Sequence, residues 1–150
     1  MNKDAAFHKK LDQQGPYARE PTGILTKDST IKLRHLITEK AYLDFRERRE
    51  ELLNERISLM KANRQQDYMK SVGKSLTEYR DVMQKATTSA INFLDITEND
   101  YVNSFKQLLS SPENQKIMMK MEEEIRDKYE PQTPLSKSQT EYKKIYCEKL

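Results

Sequence analysis

The triplet Gly73-Lys74-Ser75 is the first feature that could carry chemistry, because it has the ending of a phosphate-binding loop. The full motif also needs a glycine five residues before Gly73, where this chain has Tyr68, and a β-strand in front of it. Neither is present in the sequence, and the triplet lies inside a run with helical periodicity. We therefore predict that this triplet binds no nucleotide.

Three glutamates, Glu47, Glu51 and Glu55, form the next candidate, since side chains four residues apart share one face of a helix. Carboxylate metal sites on helices combine glutamate with a histidine three residues later. His8 and His35 are the only histidines, and both are isolated from the glutamates. We interpret the column as a solvated face, and we assign no metal ligand, cofactor-binding residue or catalytic residue.

Two features near the C-terminal end also suggest chemistry. Cys147 is the only cysteine, so an internal disulfide is impossible, and no paired histidine supports a nucleophilic role. The segment from Lys128 to Pro134 fits the basic-x-x-Pro-x-x-Pro pattern that SH3-type grooves bind. So short a pattern often arises by chance, and a linker is the preferred interpretation. The chain is thus predicted not to be an enzyme and to have no small-molecule substrate.

The composition favours a helical protein that depends on partners. Hydrophobic residues make up 35% of the 150 residues and charged residues 34%, with no tryptophan. Globular chains average about 45–50% apolar and about 25% charged residues. Ordering a chain costs roughly 1–2 kcal/mol of free energy per residue. The small apolar surface of this chain can offset only part of that cost. We therefore expect other protein subunits to supply part of the buried surface.

Charge and hydropathy argue against several other classes of protein. The net charge of +3 is mild and its acids and bases are interleaved, whereas a nucleic-acid-binding protein concentrates its basic residues on one face. No apolar run approaches the roughly 20 residues of a membrane span. The first ten residues lack the apolar core of a secretory signal. We expect a cytoplasmic location and no membrane span.

The most regular pattern is an apolar stripe with steps of three and four residues, typical of a helix in a coiled coil. It consists of Met69, Val72, Leu76, Tyr79, Met83, Ala86, Ala90 and Phe93. The flanking positions are mostly small and uncharged, so the face is wider than the seam of a dimer and suits more than one neighbour. We predict that these eight residues bind partners, with packing inside the chain's own bundle as an equal alternative.

Helix breakers and the apolar stripes divide the chain into three parts. Residues 1–29 are predicted to be an extended N-terminal arm, because Gly15-Pro16, Pro21 and Gly23 interrupt any helix. Residues 30–130 form a helical interaction region and residues 131–150 a C-terminal tail. The arm is expected to lie over a neighbouring subunit through five apolar anchors: Phe7, Leu11, Tyr17, Ile24 and Leu25.

The predicted fold is all-α, with elongated helices and extended terminal arms. A long helix is expected over residues 30–94, beginning near Asp28. It could be broken at residues 61–67, which are polar on all sides; the absence of Gly and Pro there favours continuity over a helical hairpin. Two shorter helices follow, roughly 98–110 and 112–129, with Thr97 and Ser111 as caps.

These features predict a non-catalytic scaffolding subunit of a large protein assembly. The long helix and thin apolar stripes suit a cytoskeletal setting, axonemal or microtubule-associated, and hence a cilium or flagellum. The alternative is a helical nucleic-acid-binding accessory factor, although the interleaved glutamates argue against it. It would depend on six basic residues: Arg46, Arg48, Arg49, Arg56, Lys61 and Arg64.

Overall fold

Five α-helices follow one another along residues 4–129, the part of the chain that the computed structural model describes. They are α1 (Ala5–Gln14), α2 (Lys27–Lys61), α3 (Gln65–Phe93), α4 (Glu98–Leu109) and α5 (Pro112–Tyr129). Within this range the β-type pairing is a single bridge between Arg19 and Leu25. The predicted all-α fold is confirmed. The predicted C-terminal tail, 131–150, lies outside the described residues.

The polar segment between α2 and α3 is a break, and the two helices fold back on each other as an antiparallel hairpin. Asn63 has a φ of 57°, in the left-handed region that asparagine tolerates better than most residues. The N–H of Asn63 donates to the carbonyl of Met60 and that of Arg64 donates to Leu59, both at 3.0 Å. This is the Schellman pattern of a helix end. The structure therefore has the hairpin and not the favoured continuous helix, because asparagine takes the place of the usual glycine.

Helix α1 occupies part of the segment predicted to be extended. Phe7 and Leu11 are four residues apart on this helix, and both are buried in the core, with 5% and 0% exposure. The prediction of an extended arm over residues 1–29 is wrong for residues 5–14, because Gly15 and every other breaker come after this helix. The buried apolar anchors of this segment thus contact the chain's own core.

The segment between α1 and α2 is fastened to three helices by hydrogen bonds. The hydroxyl of Tyr17 donates to the Leu11 carbonyl of α1 at 2.8 Å. The N–H of Ala18 donates to Ser29 Oγ of α2 at 2.8 Å, and the N–H of Leu25 donates to Ser104 Oγ of α4 at 2.9 Å. This segment therefore returns the chain to the start of α2, and its backbone is held by side chains that come from elsewhere.

Two apolar clusters surround the base of the hairpin. The main cluster joins α1, α2, α3 and α4 and contains Phe7, Leu11, Leu25, Leu33, Leu36, Ile37, Ala41, Ala86, Ala90, Ile91, Ile96 and Tyr101. The second cluster joins α4 and α5 to α2 through Leu108, Met118, Met121 and Ile125, with Ile31 and Tyr42 packed against them. We call the helices that form these two clusters the helical body; they are α1, α4, α5 and the parts of α2 and α3 that contribute to the clusters.

The end of α3 repeats the capping pattern at the end of α2. Asp95 has a φ of 56°, and the N–H of Ile96 donates to the Ile91 carbonyl at 2.8 Å. Ile91 and Ile96 are both buried in the main cluster, which is the apolar contact that often accompanies a Schellman end. Thr97 then caps α4 by accepting the N–H of Asp100 at 3.1 Å, as predicted.

Candidate functional site

The fold brings together Asp4, His8 and Ser89, which are the residue types of a hydrolytic triad. Ser89 Oγ donates to Asp4 Oδ2 at 2.6 Å and lies 2.9 Å from His8 Nε2. In a triad the histidine stands between the other two and takes the proton of the serine. Here the serine stands in the middle and directs its only proton to the carboxylate, so His8 Nε2 is the donor. The arrangement does not activate a nucleophile.

The same cluster fastens α1 to α2 and α3. The hydrogen bond from Ser89, joined by the charge of Lys40 3.3 Å away, holds the pKa of Asp4 below its usual range despite partial burial. Lys40 also binds Asp44 at 2.9 Å. The ring of His8 stacks on Phe93 with 4.4 Å between centroids. No sequence pattern predicts this cluster, because 81 residues separate His8 from Ser89.

The eight residues of the predicted stripe are divided between the core and the surface. Ala86 and Ala90 are 3% and 0% exposed inside the main cluster, so their contacts are with this chain. Leu76 and Phe93 are 61% and 44% exposed. The remaining four are partly buried: Met69, Val72, Tyr79 and Met83. Packing inside the chain's own bundle is therefore shown for Ala86 and Ala90, and Tyr79 and Met83 also pack against the main cluster. Partner binding through the stripe stays a prediction.

In the first half of α3 the inward face is not the predicted stripe. Tyr68 and Ser71 are buried, with 0% and 3% exposure, and each precedes a stripe residue, Met69 or Val72, by one position. One position corresponds to about 100° of rotation around a helix. The stripe thus runs along the flank of the contact with α2, which explains why Leu76 lies on the surface.

An aromatic junction around Tyr79 joins α3 to α2. The ring of Tyr79 packs against Tyr42 and Phe45 of α2, with centroid distances of 5.6 Å and 5.7 Å. The guanidinium of Arg49 lies 4.6 Å from the centroid of Tyr42. Tyr129, at the end of α5, packs against the second cluster, as Tyr42 does. Burial, reinforced by the neighbouring Tyr42, raises the pKa of the Tyr79 hydroxyl far above its usual value.

Beyond this junction the hairpin continues for more than four turns, and we call residues 46–78 the distal hairpin. Its buried side chains belong to neither cluster of the helical body; they are Leu52, Ile57, Tyr68 and Ser71. Arg48 links the two helices by binding Glu78 at 3.2 Å and also binds Glu51 at 2.9 Å. The part of α2 beyond Phe45 has a length of about 24 Å at 1.5 Å per residue.

The outer face of α3 in the distal hairpin carries basic charge. Between Tyr68 and Thr77 the only charged residues are Lys70 and Lys74, and both are exposed. No carboxylate in the described part of the chain lies within ion-pair distance of either lysine. The neighbouring acids Asp67 and Glu78 are already bound, to Arg64 and Arg48. This face is therefore an apolar and basic surface with Leu76 at its edge.

The basic residues of the nucleic-acid alternative do not form one accessible face. Arg48 and Arg64 are bound to carboxylates of the chain itself. The guanidinium of Arg49 lies over the rings of Tyr42 and Phe45. A phosphate backbone would have to compete with these contacts. The arrangement counts against that alternative.

The remaining sequence features that could carry chemistry show no site in the described part of the chain. Gly73-Lys74-Ser75 lies within α3, so its backbone N–H groups are turned into the helix. No three His, Cys, Asp or Glu residues between positions 4 and 129 are placed to hold a metal ion. None of the helices described has both the length and the apolar character needed to cross a membrane. Cys147 and residues 130–134 lie outside the described residues.

Comparison of the chain with models of protein families, with curated proteins and with solved structures gives no match. Its function must therefore be argued from its own surfaces.

Proposed function

We propose that this chain is a non-catalytic structural subunit that binds other proteins of a large assembly through the distal hairpin. Support comes from the exposure of Leu76: a large apolar side chain, 61% exposed, lies beside half-buried stripe residues on a helix with polar surroundings. Leucine on a helix flank is the kind of anchor that another amphipathic helix covers. The helical body meanwhile has its own core, which leaves the hairpin available for contacts.

The proposed setting is cytoskeletal, in an axonemal or microtubule-associated complex. Helix α2 has 35 residues, which corresponds to a length of about 52 Å. Such a helix extends well beyond what a body of this size needs, and it presents contacts at a distance from the body. Elongated hairpins of this kind suit subunits that connect neighbours along a filament. The same reasoning supports a location in a cilium or flagellum.

Replacing Leu76 with Asp tests the proposal. Because Leu76 is mostly exposed, we expect the variant to fold and to lose less than about 1 kcal/mol of unfolding free energy. In cells of the source organism, sedimentation should then move the tagged variant from large-assembly fractions to small ones. Leu76→Asp is a cleaner test than Met83→Asp, because Met83 packs against the main cluster and its replacement would damage the core.

A matched control is Met119→Asp on α5. Met119 is 63% exposed, nearly the same as Leu76, but lies on another helix far along the chain. We expect this variant to remain in the large-assembly fractions. The proposal is contradicted if the unmodified chain sediments as a small species, or if Leu76→Asp stays with the assembly as Met119→Asp does.

A further inference from the structure

Gly73 forms a notch in the outer face of α3. It is the ninth residue of a 29-residue helix and has no positive φ that would require glycine. A Cβ atom built on it would meet nothing within 4 Å. Glycine inside a helix lowers its stability relative to alanine. The described fold gives no internal reason for glycine at this position, although α3 would be more stable with alanine.

The residues around this notch form a surface of defined chemistry. Positions three and four residues away border Gly73 on a helix, and they hold Met69, Lys70, Leu76 and Thr77. The hydroxyl of Thr77 donates to the Gly73 carbonyl at 3.0 Å, so it is engaged by the helix itself. One side of the notch is therefore apolar and the other basic.

We propose that an acidic amphipathic helix of another protein packs across α3 at Gly73. This inference rests on the proposed function and specifies its partner. The missing side chain lets a second helix backbone approach closely, as small residues do in tight helix contacts. Its apolar residues would cover Leu76 and Met69, and its carboxylates would pair with Lys70 and with Lys74 one turn further on.

The charges favour this occupant over two others. The chain's own residues 131–150 contain four lysines and two glutamates, a net positive segment that the two lysines of α3 would repel. The same face of a second copy carries the same lysines, and a two-fold contact would place like charges together. An acidic partner helix is not repelled by Lys70 and Lys74, because its carboxylates have the opposite charge.

Photo-cross-linking in the native assembly identifies the occupant. A benzophenone-bearing residue replaces Arg80, which is exposed and lies two turns from Gly73 on the same face. We expect it to link to a different protein, at a segment with helical apolar periodicity and at least two carboxylates. The same probe at Met119 should not link to that segment. A link to residues 131–150, to a second copy or to a segment without carboxylates, or no link from position 80, would overturn the inference.

Gly73→Ala separates close packing from a structural role. We expect the melting temperature of the isolated variant to rise by about 2–4 °C, while its recovery in the assembly falls by about tenfold. Ser58→Ala, on the exposed face of α2, should change neither strongly. A stabilised Gly73→Ala variant that assembles normally would rule out a close contact at the notch.

Charge reversal tests the acidic character of the partner. Lys70→Glu with Lys74→Glu should reduce recovery in the assembly by about tenfold. Lys116→Glu with Lys120→Glu is a matched control, since both are exposed and four residues apart on α5. Equal recovery of the two double variants would contradict the inference. If the unmodified chain belongs to no large assembly, the proposed function itself fails, and this result is distinct from the others.

Discussion

Tyr79 illustrates how one side chain can join several elements and record their packing in its pKa. Its ring contacts Tyr42 and Phe45 of α2, and its electrostatic environment includes Glu122 of α5. Burial opposes the charged phenolate and therefore raises the pKa of the hydroxyl. The raised pKa of Tyr79 therefore depends on the packing of α2, α3 and α5 around its side chain.

The first prediction concerns stability at alkaline pH. An unfolded tyrosine ionises near pH 10, but Tyr79 stays protonated in the fold. Ionisation therefore lowers the free energy of the unfolded state as pH rises, while the folded state gains no such stabilisation. The free energy of unfolding should fall above about pH 10 and stop falling once pH passes the raised pKa. We expect Tyr79→Phe to equal the parent at pH 8 and to exceed it by about 1 kcal/mol at pH 11.

Urea denaturation at the two pH values measures this difference, with tertiary structure followed by near-ultraviolet circular dichroism. Phenylalanine keeps the ring that contacts Tyr42 and Phe45, so the packing is preserved. An equal loss of stability in both proteins between pH 8 and pH 11 would show that Tyr79 is not the responsible group.

At the residue scale, the sequence predicted which helix face is apolar but not what covers each position. The steps of three and four identify Ala86 and Leu76 equally well, yet Ala86 is 3% exposed and Leu76 is 61% exposed. Periodicity identifies the apolar face of a helix only to within one residue position. Tyr68, which is buried, and Met69, which belongs to the predicted stripe, differ by that one position. The contact of His8 with Ser89 was beyond prediction, because it depends on where the chain returns after 81 residues.

At the scale of elements, helix ends with local signals were predictable. Thr97 three residues before Asp100 and Ser111 before Pro112 identified the starts of α4 and α5, because a cap needs only its own neighbours. The end of α2 was harder, since Asn63 resembles an ordinary polar helix residue until its φ is known. Helix α1 is not apparent from the breakers Gly15-Pro16, because these limit only its end, and the ten residues before them contain no helix breaker.

The second prediction tests the turn at Asn63. Glycine takes a left-handed φ without strain, whereas alanine in that region costs about 1 kcal/mol. We expect Asn63→Gly to stabilise the protein slightly and Asn63→Ala to lower its unfolding free energy by about 1 kcal/mol. Chemical denaturation of the three proteins measures the order.

The same substitutions at Asp95 provide the matched comparison, because Asp95 has nearly the same φ of 56° at the end of α3. The order Gly, parent, Ala should hold at both positions. An alanine variant at Asn63 as stable as the parent would show that the hairpin turn does not depend on the left-handed residue.

At the scale of the whole molecule, stability is distributed unevenly along the hairpin. Residues near its base are buried by α1, α4 and α5, and fully buried positions such as Leu33, Ile37 and Ala90 lie there. In the distal hairpin the buried residues Leu52, Ile57, Tyr68 and Ser71 belong to neither cluster of the helical body. Local opening costs less where fewer elements contribute buried contacts.

Native-state hydrogen exchange tests this distribution. We expect amides of residues 33–41 and 86–91 to exchange only through global unfolding, and those of residues 50–75 to exchange through a separate opening of lower free energy. Because this opening involves the surface assigned to a partner, incorporation into the assembly should slow exchange at residues 66–77 more than in the body. Uniform protection of the isolated chain would mean that the hairpin and the body unfold as one unit. A partner that binds a hairpin of this uniformly stable kind would add little order to the chain. A partner that binds a locally opening hairpin would also stabilise the closed hairpin. The affinity of that partner is then reduced by the free energy needed to close the hairpin.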